Sequence, residues 1–92
     1  MAKEYRSRGQ VVQQLLATIQ KEGPVGVTRL ITVANLMHTR VQEHLAGFEA
    51  NGIIDRPDEG DRPQWVLTIR GNEALEELRR IDRAMRDFGI DL

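Results

Sequence analysis

Five polar residues near the middle of the chain are of types whose side chains are able to hydrogen-bond with the edges of nucleic-acid bases: His38, Thr39, Arg40, Gln42 and Glu43. A guanidinium donates two bonds to guanine, a glutamine amide pairs with adenine, and a glutamate accepts a bond from cytosine. None of the five belongs to a catalytic pattern, because the sequence contains no phosphate-binding glycine loop, no G-x-S-x-G and no H-E-x-x-H. We therefore expect recognition chemistry and not an enzyme, with an ordinary solvated helix face as the alternative.

Two short helices joined by a turn at Asn35-Leu36 are predicted to present this polar set. Thr28 is the expected N-cap of the first helix. The second helix is expected to begin at Thr39, where T-x-x-Q forms a capping box, so that His38 lies just outside it. Asn51-Gly52 is a strong signal for its end. Apolar residues recur at helical spacing on both helices: Val27, Leu30, Ile31 and Ala34 on the first, and Val41, Leu45 and Phe48 on the second.

Three arginines are candidates for contacts with DNA phosphates. Arg29 lies at the beginning of the first of the two helices, where the backbone amides also favour anions. Arg56 and Arg62 flank a turn-rich acidic segment. The alternative for both is an ion pair with a neighbouring aspartate: Asp55, Asp58 or Asp61.

The residues before Thr28 are predicted to form one further helix and a short link. Ser7 and Gln10 make a capping box, and a core-facing apolar stripe then reaches about Glu22. Gly23-Pro24 is expected to end this helix, the glycine as a left-handed cap and the proline because it cannot continue the hydrogen-bond ladder. The link 25–27 is expected to be extended.

A β-hairpin is predicted after the two central helices, with strands at 53–56 and 64–67 around a polar tip. Trp65 is expected to be a hydrophobic anchor beneath this hairpin rather than a platform for stacking bases. A hairpin that follows two helices joined by a tight turn has the character of a wing.

The last helix is predicted from Ile69 to about Phe88, with Thr68 as its N-cap. Five of its residues have the a/d spacing of a coiled coil: Ala74, Leu78, Ile81, Met85 and Phe88. We interpret this seam as a dimerisation surface; packing on the chain's own first helix is the alternative. Leu75 lies beside the seam, and facing the domain core is an alternative that stays open for it. Charged residues on the other faces are expected to form ion pairs along the helix: Glu76, Glu77, Arg79, Arg80, Asp82, Arg83, Arg86 and Asp87.

Composition limits the chain to a small set of protein classes. Its 92 residues suffice for one domain, near the size at which self-association helps to stabilise a core. The absence of cysteine excludes disulfides and thiolate metal sites, and His38 and His44 do not have the i, i+4 spacing of a helical metal site, so no metal or cofactor is expected. No stretch approaches the roughly 20 apolar residues of a membrane span, and the N-terminus lacks the apolar region of a signal peptide. A cytoplasmic location is therefore expected.

The formal net charge of −1 is unevenly distributed. Residues 1–47 carry six Lys/Arg and three acidic residues, whereas residues 48–92 carry seven arginines and eleven acidic residues. This asymmetry is modest, and it is consistent with binding DNA through one face. The basic front half includes Lys3, Arg6 and Arg8. A contact with the DNA backbone is one interpretation of these residues, and disordered, solvated side chains are the default.

The order helix, helix, helix, hairpin, helix, with LTIRG before the last, resembles the winged helix-turn-helix family. More narrowly, it is similar to the archaeal ten-kilodalton winged-helix DNA-binding proteins that dimerise through a C-terminal coiled-coil helix. The matching pieces are 28–30, 34–36, 42–45, 51–54 and 67–71. The chain departs from that pattern at Met37, where such proteins often have a serine, and in its acidic wing tip at 58–61.

The resemblance implies a mostly helical α+β fold, a winged helix-turn-helix of three helices and a two-stranded wing plus a C-terminal dimerisation helix. Residues 1–68 would form the DNA-binding domain and residues 69–92 the dimerisation helix, within one structural domain overall. It also implies sequence-specific binding of double-stranded DNA by a homodimeric transcriptional regulator, cytoplasmic and nucleoid-associated. Two alternatives stay open: a protein-interaction adaptor in a transcription or defence complex, and a non-specific chromatin protein. Binding of a small-molecule effector and a viral or plasmid origin are open as well.

Overall fold

The computed structural model describes residues 7–57 and 62–90, which form four helices and three short strands. The acidic tip of the wing lies outside the described residues. The class is α+β and mostly helical, as predicted. In chain order the elements are α1 (Arg8–Glu22), β1 (Val25–Gly26), α2 (Val27–Ala34), α3 (His38–Ala50), β2 (Ile54–Asp55), β3 (Gln64–Leu67) and α4 (Ile69–Asp87).

Helix α1 begins as predicted and ends by a different mechanism. The Gln10 amide donates to the Ser7 hydroxyl at 3.2 Å and the Ser7 amide donates to Gln10 Oε1 at 2.9 Å, which closes the capping box. The predicted left-handed glycine cap is wrong, because Gly23 has φ −60° and ψ 145°. Glycine is needed there for space: a Cβ would lie 2.5 Å from the Ile19 carbonyl oxygen and 3.0 Å from that of Trp65.

The N-caps predicted for the two central helices are both wrong. Gly26 is the N-cap of α2 and Met37 is that of α3, and neither helix has a side-chain cap. Apolar packing sets these helix starts instead. Val27, at the first position of α2, packs against the core. Val41 is fully buried, and its amide donates to the Met37 carbonyl at 3.1 Å, so α3 begins one residue earlier than Thr39 and includes His38.

The turn between the central helices is where the sequence predicts it. Asn35 has φ 53° and ψ 47°, a left-handed conformation that asparagine tolerates better than most residues. Its amide donates to the Ile31 carbonyl at 2.8 Å, which ends α2. The turn therefore separates α2 from α3 by three residues.

The wing belongs to a three-stranded antiparallel sheet with the order β1-β3-β2. Strand β3 has the predicted bounds, but β2 covers only two residues of the predicted segment 53–56. The link at 25–27, predicted only to be extended, supplies a further strand, since Val25 pairs with Trp65 and Gly26 with Gln64. Pairing with β1 fixes the N-terminal end of α2 to the base of the wing.

Every helix contributes to one apolar core, and the wing contributes two of its residues. Trp65 is only 7% exposed, which confirms its role as an anchor. Leu75 is fully buried, which decides that the first half of α4 packs on the core. Thr68 caps α4 by accepting the Gly71 amide at 3.0 Å. The core residues are Val11, Leu15, Leu16, Ile19, Val25, Leu30, Ala34, Val41, Leu45, Ile54, Trp65 and Leu75.

Candidate nucleic-acid interface

Helix α3 separates an apolar side from a polar one. Val41 and Leu45 are buried against the core. All five residues predicted to contact bases are exposed: His38, Thr39, Arg40, Gln42 and Glu43. They are five of the first six residues of the helix, the end that a recognition helix presents to base edges. His38 and Gln42, four residues apart, are linked by a 3.3 Å hydrogen bond between their side-chain nitrogens.

Arg40 has a neighbour, Arg8, that the sequence alone places in the N-terminal lead-in. Arg8, the first residue of α1, lines a shallow hollow together with Arg40, Glu43 and His44. Partial burial, and then the nearby positive charges of Arg40 and Arg8, lower the pKa of His44, while Glu43 opposes this effect. The start of α1 therefore adds positive potential to the exposed face of α3. Only the fold brings positions 8 and 40 together.

His44 is half-buried, unlike the exposed residues of the polar face. Its ring stacks on that of Phe48 one turn later, with centroids 5.9 Å apart and planes inclined by 28°. Phe48 in turn packs against the core. His44 therefore forms the inner edge of the polar face.

Arg29 is exposed at the beginning of α2, as predicted, and it is already engaged. Its Nε lies 2.8 Å from Glu22 Oε1 and its Nη2 lies 3.2 Å from Oε2, a two-pronged ion pair with the last residue of α1. This pair lowers the pKa of the Glu22 carboxyl and raises that of Arg29. Charge and geometry therefore hold the guanidinium beside α1.

The structure brings Arg62 close to Arg29, although the two are far apart in the sequence. Both line an open groove of about 810 Å³ between α2 and the start of β3. Two hydroxyls and an amide side chain complete its polar lining: Thr28, Thr32 and Gln64. Two of the three arginines predicted to contact phosphates thus share one groove.

Arg56, the third, lies at the base of the wing. Its guanidinium carbon is 5.3 Å from the centroid of the Trp65 ring, a cation–π distance. Its Nε is 3.6 Å from Glu49 Oε2 on α3. Asp55 accepts the Arg56 backbone amide at 2.8 Å. Among the described residues, the carboxylate that faces the guanidinium is therefore that of Glu49 on α3 and not that of Asp55. Asp58 and Asp61 lie outside the described residues.

The predicted dimerisation seam is half-buried at three of its five positions and exposed at the other two. Ala74, Leu78 and Met85 are half-buried, and Leu78 packs against the chain's own core. Ile81 is 42% exposed and Phe88 81% exposed. The seam therefore combines packing within the chain with an apolar surface near its end.

The charged faces of α4 form ion pairs along the helix, as expected for part of the set. Arg80 pairs with Glu77 at 2.5 Å, and Arg86 with Asp82 at 2.5 Å. Among the described residues, no group of His, Asp or Glu side chains is arranged to hold a metal ion. No helix in the described part of the chain combines the length and the apolar character needed to cross a membrane.

Comparisons with solved structures give the same architecture. Sso10a-2, a DNA-binding protein from Sulfolobus solfataricus, aligns with a TM-score of 0.78 at 19% identity, over 90% of this chain and 85% of that one. AF1382 from Archaeoglobus fulgidus aligns with a TM-score of 0.68 at 19% identity, over 86% of this chain and 90% of that one. The transcriptional regulator Tm0710 from Thermotoga maritima has a TM-score of 0.67 at 22% identity, over 85% of this chain and 60% of that one.

The sequence itself matches a family. A comparison with curated proteins gives no match. The model of the winged helix-turn-helix family matches residues 5–86, from the lead-in to nearly the end of α4. The match includes the central helix pair, the wing and the last helix. The chain belongs to the winged helix-turn-helix family.

Proposed function

We propose that this chain binds double-stranded DNA in a sequence-specific manner as a homodimeric transcriptional regulator. Helix α3 enters the major groove, where Arg40, Gln42 and Glu43 contact base edges beside His38 and Thr39. The observation that carries the proposal is the exposed polar start of α3, with Arg40 and Arg8 side by side, on a family fold that leaves this helix face uncovered.

Arginines on both sides of α3 are proposed to hold the DNA backbone. Arg29 and Arg62 share the groove between α2 and β3, and Arg56 lies at the base of the wing. Guanidinium groups suit phosphate oxygens because their fork of N–H donors matches two acceptors. Contacts of this kind fix the orientation of a protein on the duplex, and the base contacts then select the sequence.

Two similar proteins are consistent with the proposal. Sso10a-2 is a DNA-binding protein and Tm0710 is a transcriptional regulator. The proposal extends to this chain the division into a DNA-binding part, residues 1–68, and a dimerisation helix, residues 69–92. A DNA-bound regulator works where the DNA is, so a cytoplasmic, nucleoid-associated location is part of the proposal.

The homodimer is proposed to form through the seam of α4, namely Ala74, Leu78, Ile81, Met85 and Phe88. Exposure of Ile81 and Phe88 supports it, because large apolar side chains on a helix gain free energy when a second helix covers them. Ile90 extends this surface: it is 50% exposed, and its amide donates to the Met85 carbonyl at 2.8 Å as the chain turns back after α4. A two-fold dimer would contact half-sites one helical turn apart, roughly 34 Å.

A second candidate function is that of a winged-helix adaptor that binds another protein, for instance in a transcription or defence complex. The sequence of the wing tip favours it, because Asp58, Glu59 and Asp61 repel phosphates. A non-specific chromatin role is less well supported, since such binding depends on many Lys/Arg contacts and α3 carries one arginine and no lysine.

The test is a fluorescence-anisotropy titration of a random-sequence duplex at low and moderate salt, followed by selection from a random DNA pool. We expect weak, salt-dependent binding to random DNA, with a slope that counts the phosphates contacted, and tight binding to an enriched sequence. Equal affinity for random and selected DNA would favour the chromatin role. No binding to either at low salt would favour the adaptor and contradict the proposal.

A further inference from the structure

Two of the arginines proposed to hold phosphates each face a glutamate on another element. Glu22 ends α1 and engages Arg29 of α2 through both carboxylate oxygens, at 2.8 and 3.2 Å. Glu49, near the end of α3, lies 3.6 Å from Arg56 at the base of the wing. Both pairs are solvent-accessible, with 34% to 54% of each side chain exposed. The two sites thus repeat one arrangement, an exposed arginine neutralised by a glutamate of a neighbouring element.

Arg40 differs from this pair. Within the described part of the chain it forms no ion pair, and Arg8, its neighbour across the hollow, carries the same charge. The cation proposed to read bases is therefore open to a ligand, whereas two of those proposed to hold the backbone are occupied by carboxylates. A phosphate oxygen needs the N–H donors that Glu22 already uses on Arg29, and at Arg56 it competes with the negative charge of Glu49.

We propose that Glu22 and Glu49 are autoinhibitory residues that compete with DNA phosphates for Arg29 and Arg56. This inference rests on the proposed function and concerns the regulation of the same surface. When DNA binds, each pair must open, and the released carboxylate then lies near the negatively charged backbone. That carboxylate recruits a cation from solution, so fewer counterions are released in total than the number of phosphate contacts would give. The consequence is weaker binding to duplex DNA of any sequence, which leaves the base contacts of α3 to supply the affinity.

The test compares wild-type protein with Glu22→Gln and Glu49→Gln, which keep the size of the side chain and remove its charge. We expect each change to raise the affinity for a random-sequence duplex by roughly two- to fivefold, the range of an exposed ion pair. The plot of log affinity against log salt should become steeper, by up to about 0.9 for each arginine that no longer exchanges a carboxylate for a phosphate. Because both pairs are exposed, neither change should unfold the protein, and thermal melting checks this.

Glu77→Gln is the matched control. It makes the same change of net charge and breaks an exposed ion pair of the same kind, with Arg80, on α4. We expect the control to leave the salt slope unchanged, with light scattering confirming an unchanged oligomeric state. An equal effect in all three variants would show that only total charge matters and would overturn the inference.

The remaining outcomes separate the inference from the proposed function. If Glu22→Gln or Glu49→Gln weakens binding, the glutamate positions its arginine for the phosphate and does not compete, which overturns the inference. If wild type and variants bind DNA with the same affinity and slope, the inference fails and the proposed function stands. If none of them binds any duplex at low salt, the proposed function fails first.

Discussion

At the scale of single residues, the proposal concentrates on Arg40. Replacing it with alanine should weaken binding to a selected duplex by about 1–3 kcal/mol, because a bidentate contact to a base is lost, while the free energy of unfolding stays the same. The exposed side chain makes no contribution to the core. Arg80→Ala removes the same charge from α4 and should have a much smaller effect. Anisotropy titrations of both variants check this, and equal affinities for the two would remove Arg40 from the interface.

His44 makes the stability of the fold depend on pH. Burial and the charges of Arg40 and Arg8 lower its pKa in the folded state, so the unfolded chain binds a proton more readily than the folded one. Above the pKa of about 6.5 that His44 has in the unfolded chain, the histidine is neutral in both states and does not reduce the stability. As the pH falls through and below that value, protonation favours the unfolded chain and the free energy of unfolding decreases. We expect the urea midpoint of wild type to fall between about pH 7.5 and about pH 5, and to fall less in His44→Gln. An identical fall in both proteins would contradict the assignment.

Which residues of the site could be predicted depended on how far their partners lie along the chain. The exposed set on α3 followed from periodicity within one helix, because buried and exposed positions alternate there at a known spacing. Arg8 beside Arg40, Glu22 on Arg29 and Glu49 with Trp65 around Arg56 are contacts between elements, and no local pattern encodes them. The sequence predicted Arg29, Arg40 and Arg56 as candidate contacts, but it did not indicate Arg8, Glu22 or Glu49 as their neighbours.

At the scale of elements, alanine substitutions at two helical glycines are expected to have opposite effects on stability. A Cβ at Gly71, in the first turn of α4, would clash with the Ile53 carbonyl oxygen and the Leu67 side chain, whereas a Cβ at Gly47 in α3 would meet nothing within 4 Å. Gly71→Ala should therefore destabilise the fold by about 1–3 kcal/mol through overpacking. Gly47→Ala should stabilise it by roughly 0.5–1 kcal/mol, because alanine has the higher helix propensity. Urea denaturation measures both, and a stabilising Gly71→Ala would show that α4 can move away from the wing.

Helix existence was predictable, and two helix starts were not. The hydroxyls of Thr28 and Thr39 predict N-caps, yet α2 and α3 begin one residue before them, because buried Val41 and partly buried Val27 have to reach the core. Tertiary packing thus outweighed a local hydrogen bond of modest strength. Strand β1 could not be predicted for a different reason. Its two residues are too few to show a hydrophobic periodicity, and the strand exists only because β3 pairs with it.

At the scale of the whole molecule, one helix is proposed to serve two purposes. Leu75 fixes the first half of α4 in the core, while Ile81 on its second half and Phe88 at its C-cap stay exposed. The fold could be predicted from the sequence because the order of the elements and the spacing of apolar residues within them were both evident. The sequence did not decide which side of α4 faces inward, because two apolar stripes overlap at Leu78. The burial of Leu75 shows which side it is. We propose that a second copy of the chain covers this exposed stripe, so that its burial depends on the dimer.

That dependence can be tested with one substitution made at two places. Ile81→Asp puts a charge into the proposed seam, where desolvating it in a helix pair is unfavourable, so a dimer should become a monomer and binding to paired half-sites should weaken. Ile69→Asp makes the same exchange at the first position of α4, where Ile69 is 81% exposed and outside the seam, and should remain a dimer. Light scattering gives both masses, and anisotropy with one and two half-sites gives the linked loss. A dimeric Ile81→Asp protein would place the interface elsewhere, and a monomeric wild type would reduce the proposed operator to a single half-site read by α3.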